Sequence, residues 1–275
     1  MSRPAPAAPG HTHSVHHLEQ VMGTIVTIDI YAGAEVSATD LTPQLQRART
    51  VLHDADAVFS TWKEASPITK LRRGDIAVAD APPEVAEVLR LCTTARDLSD
   101  GWFDPWAMPG GVDPTGYVKG WAAQRAVAAL ASPGVTGAVV NAAGDIASFG
   151  APAGTHPFRF GIADPLCPGH LACIVELSGG LATSGTSERG QHLIDPRTGE
   201  ASARVLSASV SGPDLGLADA LATAVAVAGD EGLALVEELE EYEAMTIAFD
   251  GTKHWTTRFP FAPSSDGLPA PAASR

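Results

Sequence analysis

The chain has only three cysteines, Cys92, Cys167 and Cys173, in 275 residues. Their irregular spacing offers no Cys-x-x-Cys zinc pair and too few bridges for a disulfide framework, so free thiols are expected. Positive charge is scarce as well. Lys and Arg number 18 against 32 Asp and Glu, for a net charge of −14, and Arg72-Arg73 is the one adjacent basic pair. A nucleic-acid backbone requires a basic stripe, so this composition argues against such a partner. The N-terminus has no apolar run of the length of a signal peptide's core, and no stretch elsewhere is long and apolar enough to span a bilayer. The expectation is a cytoplasmic protein without a membrane-spanning segment, or an extracytoplasmic one if a leader has been removed. Also missing are a Gly-x-Gly-x-x-Gly after a strand, a β-α-β repetition and any internal repeat, which makes a Rossmann domain an unfavoured reading.

What is present is a mixed pattern between two low-complexity ends. Residues 1–19, rich in Pro, Ala and His, and residues 262–275 bury little apolar surface. They are expected as a flexible arm and a disordered tail around one compact domain, residues 20–261. His11, His13, His16 and His17 cluster in the arm, but without a nearby carboxylate or cysteine a metal role is disfavoured. Val21–Tyr31 alternates like a half-buried strand. The stripe Leu41, Leu45, Ala48, Leu52, Ala55, Phe59 predicts an amphipathic helix over 41–59, and Pro83 opens a second that runs to Leu98. Further helices are expected over 117–131, 215–228 and 231–242. Strands are expected over 138–141, 158–163, 171–177 and 205–210, with a hairpin of 245–249 and 254–258 around Asp250-Gly251. The fold class is α+β.

Residues 211–229, SGPDLGLADALATAVAVAG, form the most informative segment. A helix that is apolar all round must be buried, yet Asp219 and Thr223 interrupt this one four residues apart, on one face. A buried carboxylate without a partner costs several kcal/mol. No Lys or Arg lies in the helix to offset it. A hard divalent cation accepts carboxylate and hydroxyl oxygens; backbone amides of a neighbouring loop would serve equally well, with Thr223 bonded to its own helix.

Other segments carry weaker signals of their own. Asn141-Ala142-Ala143-Gly144 reads as a strand end dissolving into small residues, open to a flat ring or a pyrophosphate, or simply as a tight turn. Thr183-Ser184-Gly185-Thr186-Ser187 is dense in hydroxyls and amides suited to phosphate or ribose, or is a plain polar loop. His192 precedes a corner set by Asp195-Pro196 and Thr198-Gly199. A lone His is more often a packing residue. Gly116-Tyr117-Val118-Lys119-Gly120 opens a helix, where outward amides attract anions and Lys119 adds charge.

Taken in order, Met22-Gly23-Thr24, Phe59-Ser60-Thr61-Trp62, Gly101-Trp102-Phe103-Asp104-Pro105, the Asp113–Ala122 block, Val140–Ile146, Ala182-Thr183-Ser184-Gly185, His192–Gly199 and Ala218–Ala224 resemble the successive blocks of the ApbE family of FAD:protein FMN transferases. Eight weak blocks in one order over residues 21–229 make a specific signature. The resemblance implies an ApbE-type, T-fold-like architecture of mixed or antiparallel sheets packed with helices. It also implies an enzyme that uses FAD and Mg2+ to move FMN onto a Thr or Ser hydroxyl of an acceptor protein, releasing AMP. Two alternatives stay open: hydrolysis of FAD to FMN and AMP, and a non-catalytic FAD-binding protein, against which the retained Asp219 and Thr223 speak.

By the same resemblance, Asp219, Thr223 and the Val118 carbonyl are the metal ligands, and His192 is the general base, its ordinary pKa being near neutral. Met22, Ser60, Thr61, Trp62, Asp104, Lys119, Asn141, Ala142, Ala143, Gly144, Asp145, Ser184, Gly185, His192 and Ile194 are the flavin-site residues, with Trp62 suited to stacking on a ring. The chain departs from the family at Ala143, where Gly is usual, and at Gln124, where many relatives are acidic.

Overall fold

The β-branched alternation near the N-terminus builds two strands joined by a turn rather than one. β1 (His13–Val21) pairs antiparallel with β2 (Thr24–Ala32), Val21 facing Thr24. The two-residue loop, Met22 (φ 52°) and Gly23 (φ 69°), has the double positive φ of a type I′ turn. The expected strand 21–31 is therefore corrected. Val21 closes β1 and Met22-Gly23 is the reversal. Residues 13–19, expected within a flexible arm, are strand, because β2 offers them a ladder nine residue pairs long. The structure, a computed structural model, describes residues 13–152, 157–186 and 193–263.

After this hairpin come the helices α1 (Thr42–Phe59), α2 (Pro67–Arg73), α3 (Pro83–Leu98) and α4 (Thr115–Ala129). In α1 the expected stripe is the buried one, Ala48, Leu52, Ala55 and Phe59. Strands β3 (Val135–Ala142) and β4 (Asp145–Gly150) form a second tight hairpin around Ala143 (φ 51°) and Gly144 (φ 95°). Then follow β5 (Phe158–Ala163), β6 (Leu171–Leu177), β7 (Gly179–Gly185) and β8 (Ser207–Gly212). Helices α5 (Leu215–Ala228) and α6 (Asp230–Glu237) and strands β9 (Glu243–Ile247) and β10 (Lys253–Trp255) complete the order.

Eight strands make one antiparallel sheet in the order β1-β2-β3-β4-β7-β8-β9-β10, while β5 and β6 pair as a separate hairpin. The helices cover one face. There Val26, Ile28 and Ile30 of β2, Ala138 and Val140 of β3 and Val210 of β8 meet α1, α3, α4 and α5. Residues of the opposite parity, Val139, Ile146, Leu181, Met245 and Ile247, pack with Phe158, Ile162 and Val175 of the β5–β6 hairpin on the other face. The period-2 alternation of side chains makes this possible. α5 lies deepest: of its 14 residues only Leu217 and Thr223 are not buried. The α+β expectation holds in this antiparallel form.

Several boundaries differ from expectation for physical reasons. β4 and β7, DIASFG and GGLATSG, are buried between two layers and rich in small residues, so neither shows alternation. The last helix ends at Glu237 rather than at 242, since Glu243 must already pair with Ser211. Cys92 is buried and Cys173 half-buried, and burial pushes their thiols up to about 12 and about 11. All three cysteines are free.

Candidate active site

Both two-residue turns open onto one cleft of about 1030 Å3. Met22 and Ala143 are two of the three non-glycine residues with positive φ among those described, and both line it. Such backbone strain concentrates at functional sites because surrounding structure must hold it in place. In the β3–β4 turn that holding is visible: the Asn141 side-chain oxygen accepts a hydrogen bond from Gly144 N at 2.8 Å. The end of α1 adds Ser60, Thr61 and Trp62 to the cleft wall, with the Trp62 ring 93% exposed at the rim. Asp104 caps a short turn by accepting from Trp106 N at 2.9 Å, and it too faces the cleft.

The floor is formed where α4 crosses α5. A Cβ on Gly120 would stand 2.3 Å from the Leu215 carbonyl oxygen, and one on Gly216 2.6 Å from the Tyr117 ring, so the two glycines set how closely the helices approach. That approach lets Gly120 N donate to Asp219 Oδ2 at 3.3 Å. Lys119, the preceding residue, pairs its ammonium with Asp145 Oδ2 and stands 3.9 Å from Asp219 Oδ1. Asp145 also accepts from Thr183 N at 3.3 Å. Burial, then the nearby Asp145 carboxylate, push Asp219 well above the usual carboxylate range, against the opposing pull of Lys119.

One turn along α5, Thr223 Oγ1 lies 3.2 Å from Ser184 Oγ of β7. Gly116 keeps this corner open, since a Cβ there would approach Thr223 Oγ1 to 3.6 Å and the Phe103 ring to 3.2 Å. Ser184, Gly185, Val118, Lys119, Asn141, Gly144, Ile194, Asp219 and Thr223 all line the cleft. Ala142 and Asp145 do not. Ala142 points into the helix-side core, and the Asp145 carboxylate is enclosed behind Lys119, where it faces Asp219 rather than the cleft. His192, Ser187 and His11 lie outside the described residues. Leu193, Ile194 and Pro196, directly after His192, form part of the wall. Their loop is pinned by Arg197, whose guanidinium lies 3.6 Å from the Trp102 ring centre.

The structure also brings in one element that no motif indicated, and it gives tasks to residues beside the named ones. Gly161, Ile162 and Ala163 of β5 form the wall opposite the helices. Alternation could mark β5 as a strand, but its position over the cleft depends on a hairpin packing across the sheet. Arg72 binds Asp113 Oδ2 at 3.0 Å, and Asp113 Oδ1 accepts from Thr115 N and Oγ1 at 3.0 and 2.7 Å, which anchors the start of α4. Gln124 donates to Pro213 O at 2.8 Å and accepts from Leu215 N. It holds the start of α5, a task that needs a donor as well as an acceptor and so suits an amide.

The donor chemistry suits a hard cation. The cleft wall carries Asp56, Asp104, Asp113 and Asp219 against Lys63 and Lys119, and Asp145 adds a further carboxylate behind it. Among the described residues no group of three or more His, Cys, Asp or Glu could cage a metal ion. The Asp219 carboxylate and the Thr223 hydroxyl are hard oxygen donors of the kind that magnesium accepts. Of the arm histidines, His16 Nδ1 is 2.6 Å from Asp29 and His17 Nε2 is 2.8 Å from Glu19, so both are hydrogen-bonded to carboxylates of the β1–β2 hairpin. No helix among the described residues is long and apolar enough to cross a membrane.

Fold and site together define an antiparallel α+β protein with a dinucleotide-sized cleft over a buried acidic centre. The ApbE family model matches residues 22–111 and 107–246. The chain belongs to the ApbE family. A curated relative, the FAD:protein FMN transferase of Rhodobacter capsulatus, is 34% identical over 171 residues, covering 56% of this chain and 32% of that protein. The chain thus spans about a third of the length of the curated relative it matches. Among solved structures, the flavin transferase ApbE from Vibrio cholerae has a TM-score of 0.77 at 19% identity, with 91% of this chain and 100% of that one covered. The ApbE protein of Thermotoga maritima likewise gives 0.77 at 20% identity, over 89% of this chain and 97% of that one. At these identities the structures establish the shared fold.

Proposed function

We propose that this chain is an FAD:protein FMN transferase, which moves the FMN half of FAD onto a Thr or Ser hydroxyl of an acceptor protein. The observation that carries the reading is the nearly sealed Asp145–Lys119–Asp219 centre, which opens through Asp219 onto a cleft large enough for a dinucleotide. Ligand pockets run from about 300 to about 1,000 Å3, and this one lies at the upper end. Family membership and the activity in the Rhodobacter capsulatus relative's name support the same reading.

In the reaction the acceptor oxygen attacks the FMN phosphorus, the P–O–P bond breaks and AMP departs with the bridging oxygen. Asp219, Thr223 and the Val118 carbonyl would hold Mg2+, which supplies charge neutralisation for the pyrophosphate and the leaving oxygen. The floor at the start of α4 orients the phosphates, where helix amides and Lys119 favour anions. The strained Met22 and Ala143 turns, with Asn141 and Gly144, shape the flavin side, and the exposed Trp62 ring is placed to cover one end of the dinucleotide. Ile194 and Pro196 hold the chain at the cleft immediately after His192. His192 takes the hydroxyl proton.

The test is to incubate the chain with FAD, Mg2+ and a candidate acceptor bearing a Thr/Ser flavinylation motif, then weigh the acceptor. An added FMN mass, lost with Asp219→Asn at unchanged melting temperature, is expected. FMN and AMP released with no mass added would instead identify an FAD pyrophosphatase. FAD bound but unchanged would leave only a flavin-binding protein.

A further inference from the structure

Lys119 occupies a place that the proposed cation also needs. Its ammonium is paired with Asp145 and is 3.9 Å from Asp219, so two carboxylates share the charge of one lysine. The carboxylates are fixed. Asp145 is fully enclosed and tied to Thr183 N, and Asp219 is 2% exposed and tied to Gly120 N. The lysine is the most accessible of the three. Its side chain is 21% exposed, lines the cleft and ends in a compact charge on a flexible four-carbon stem.

We propose that Lys119 is a built-in competitor of the divalent cation, exchanging Asp145 and Asp219 for the dinucleotide's pyrophosphate, so that cation and FAD bind cooperatively. The inference rests on the cation reading of Asp219 given above. A dication arriving at Asp219 meets an ammonium already beside it, and like charges at that range repel in a site shielded from water. Turned into the cleft, the ammonium meets the phosphates of the dinucleotide, which supply the countercharge that it leaves behind at Asp145. Each ligand thereby removes the obstacle to the other, and by linkage the coupling is equal in both directions.

Mn2+ serves as the probe, its free concentration read by electron paramagnetic resonance with the full-length chain. FAD affinity is read in parallel by flavin fluorescence, and Mn2+ held by FAD alone is subtracted. For the unaltered chain, FAD is expected to tighten Mn2+ about tenfold, within the usual range of site–site coupling. Lys119→Met is expected to bind Mn2+ without FAD about tenfold more tightly than the parent, with little further gain from FAD, whereas Lys119→Arg keeps the coupling. If Lys119→Met does not fold, the double variant Lys119→Met/Asp145→Asn, which removes one charge of each sign, must show the same loss of coupling. A folded Lys119→Met that binds Mn2+ no more tightly than the parent, or a double variant with coupling intact, overturns the proposal. So does an unaltered chain that binds Mn2+ equally with and without FAD, although its cation site would stand. A chain that takes no Mn2+ under either condition removes the cation reading itself, and this inference with it.

Discussion

Two side chains at the cleft are held in a backbone region that favours glycine. Met22 and Ala143 each occupy the first position of a type I′ turn, at φ 52° and 51°. A left-handed conformation costs an L-residue about 1–2 kcal/mol. At Ala143 relief is simple, because the side chain is a single methyl and Asn141 already closes the turn. Ala143→Gly is expected to stabilise the chain by about 0.5–1 kcal/mol, after the greater freedom of glycine in the unfolded state is deducted. Thermal denaturation would read this as a rise of a few degrees, and a fall in melting temperature would contradict the strain. Asp219 presents the opposite balance: on the proposed reading its cost is tolerated for chemistry. Its carboxyl is pushed up by burial and by Asp145. Asp219→Asn is therefore expected to lower activity by more than a hundredfold while leaving stability the same or slightly higher, since removing a buried charge relieves its desolvation. Parallel melting curves and transfer assays check both halves.

Among elements, the crossing of α4 and α5 decides whether a site exists. Neither helix alone brings Lys119, Gly120 and Asp219 together. Their approach depends on Gly120 and Gly216, each of which faces atoms closer than 3 Å to any added Cβ. Gly120→Ala drives a methyl against the Leu215 carbonyl, a rigid backbone atom. It is expected to cost about 2–3 kcal/mol and to weaken FAD binding at the same time, because Gly120 N loses Asp219 as the helices part. Chemical denaturation and flavin fluorescence measure the two effects. The same substitution at Gly74, where an added Cβ meets nothing within 4 Å, is the control for a general effect of losing glycine, its φ of 76° adding only local strain. It should leave FAD affinity unchanged.

Over the whole molecule, a cluster centred on the buried Glu19 ties the first strand to the helical layer. Glu19 of β1 binds Arg49 and, at 2.8 and 2.9 Å, His17 and His53. The Arg49 guanidinium, opposed by burial and helped by the two histidines, lowers its carboxyl from 4.5 to about 2. The stability from this shift is fully present above pH 4.5 and disappears as pH falls towards 2. Glu19→Gln is expected to lose about 1–2 kcal/mol at pH 7, with the gap to the parent closing below pH 3. Denaturation at both pH values tests this. A gap that persisted in acid would place the loss in packing rather than charge.

Much of this was legible in the chain itself, because the relevant forces act over a few residues. The stripe of α1 and the apolar run of α5 are periodicities, and period alone places Ala48, Leu52, Ala55 and Phe59 on one face and Asp219 beside Thr223. The order of eight short blocks was enough to indicate the family, and the residues named from them come to one cleft, except Ala142, enclosed Asp145 and His192, which is outside the described residues. Other features depend on contacts between distant segments. β4 and β7 carry no alternation because they are covered on both faces, which no local pattern records. Met22-Gly23 reads as strand until β1 is paired against β2. The charge balance at Lys119, Asp145 and Asp219 joins α4, β4 and α5, and the β5 wall comes from a hairpin that crosses to the opposite face. Sequence thus indicated most of the groups that line the cleft, through short-range periodicity, turn chemistry and the order of the blocks. Only the tertiary structure decided which of them face the ligand and which face each other, since burial and charge pairing belong to the packed chain.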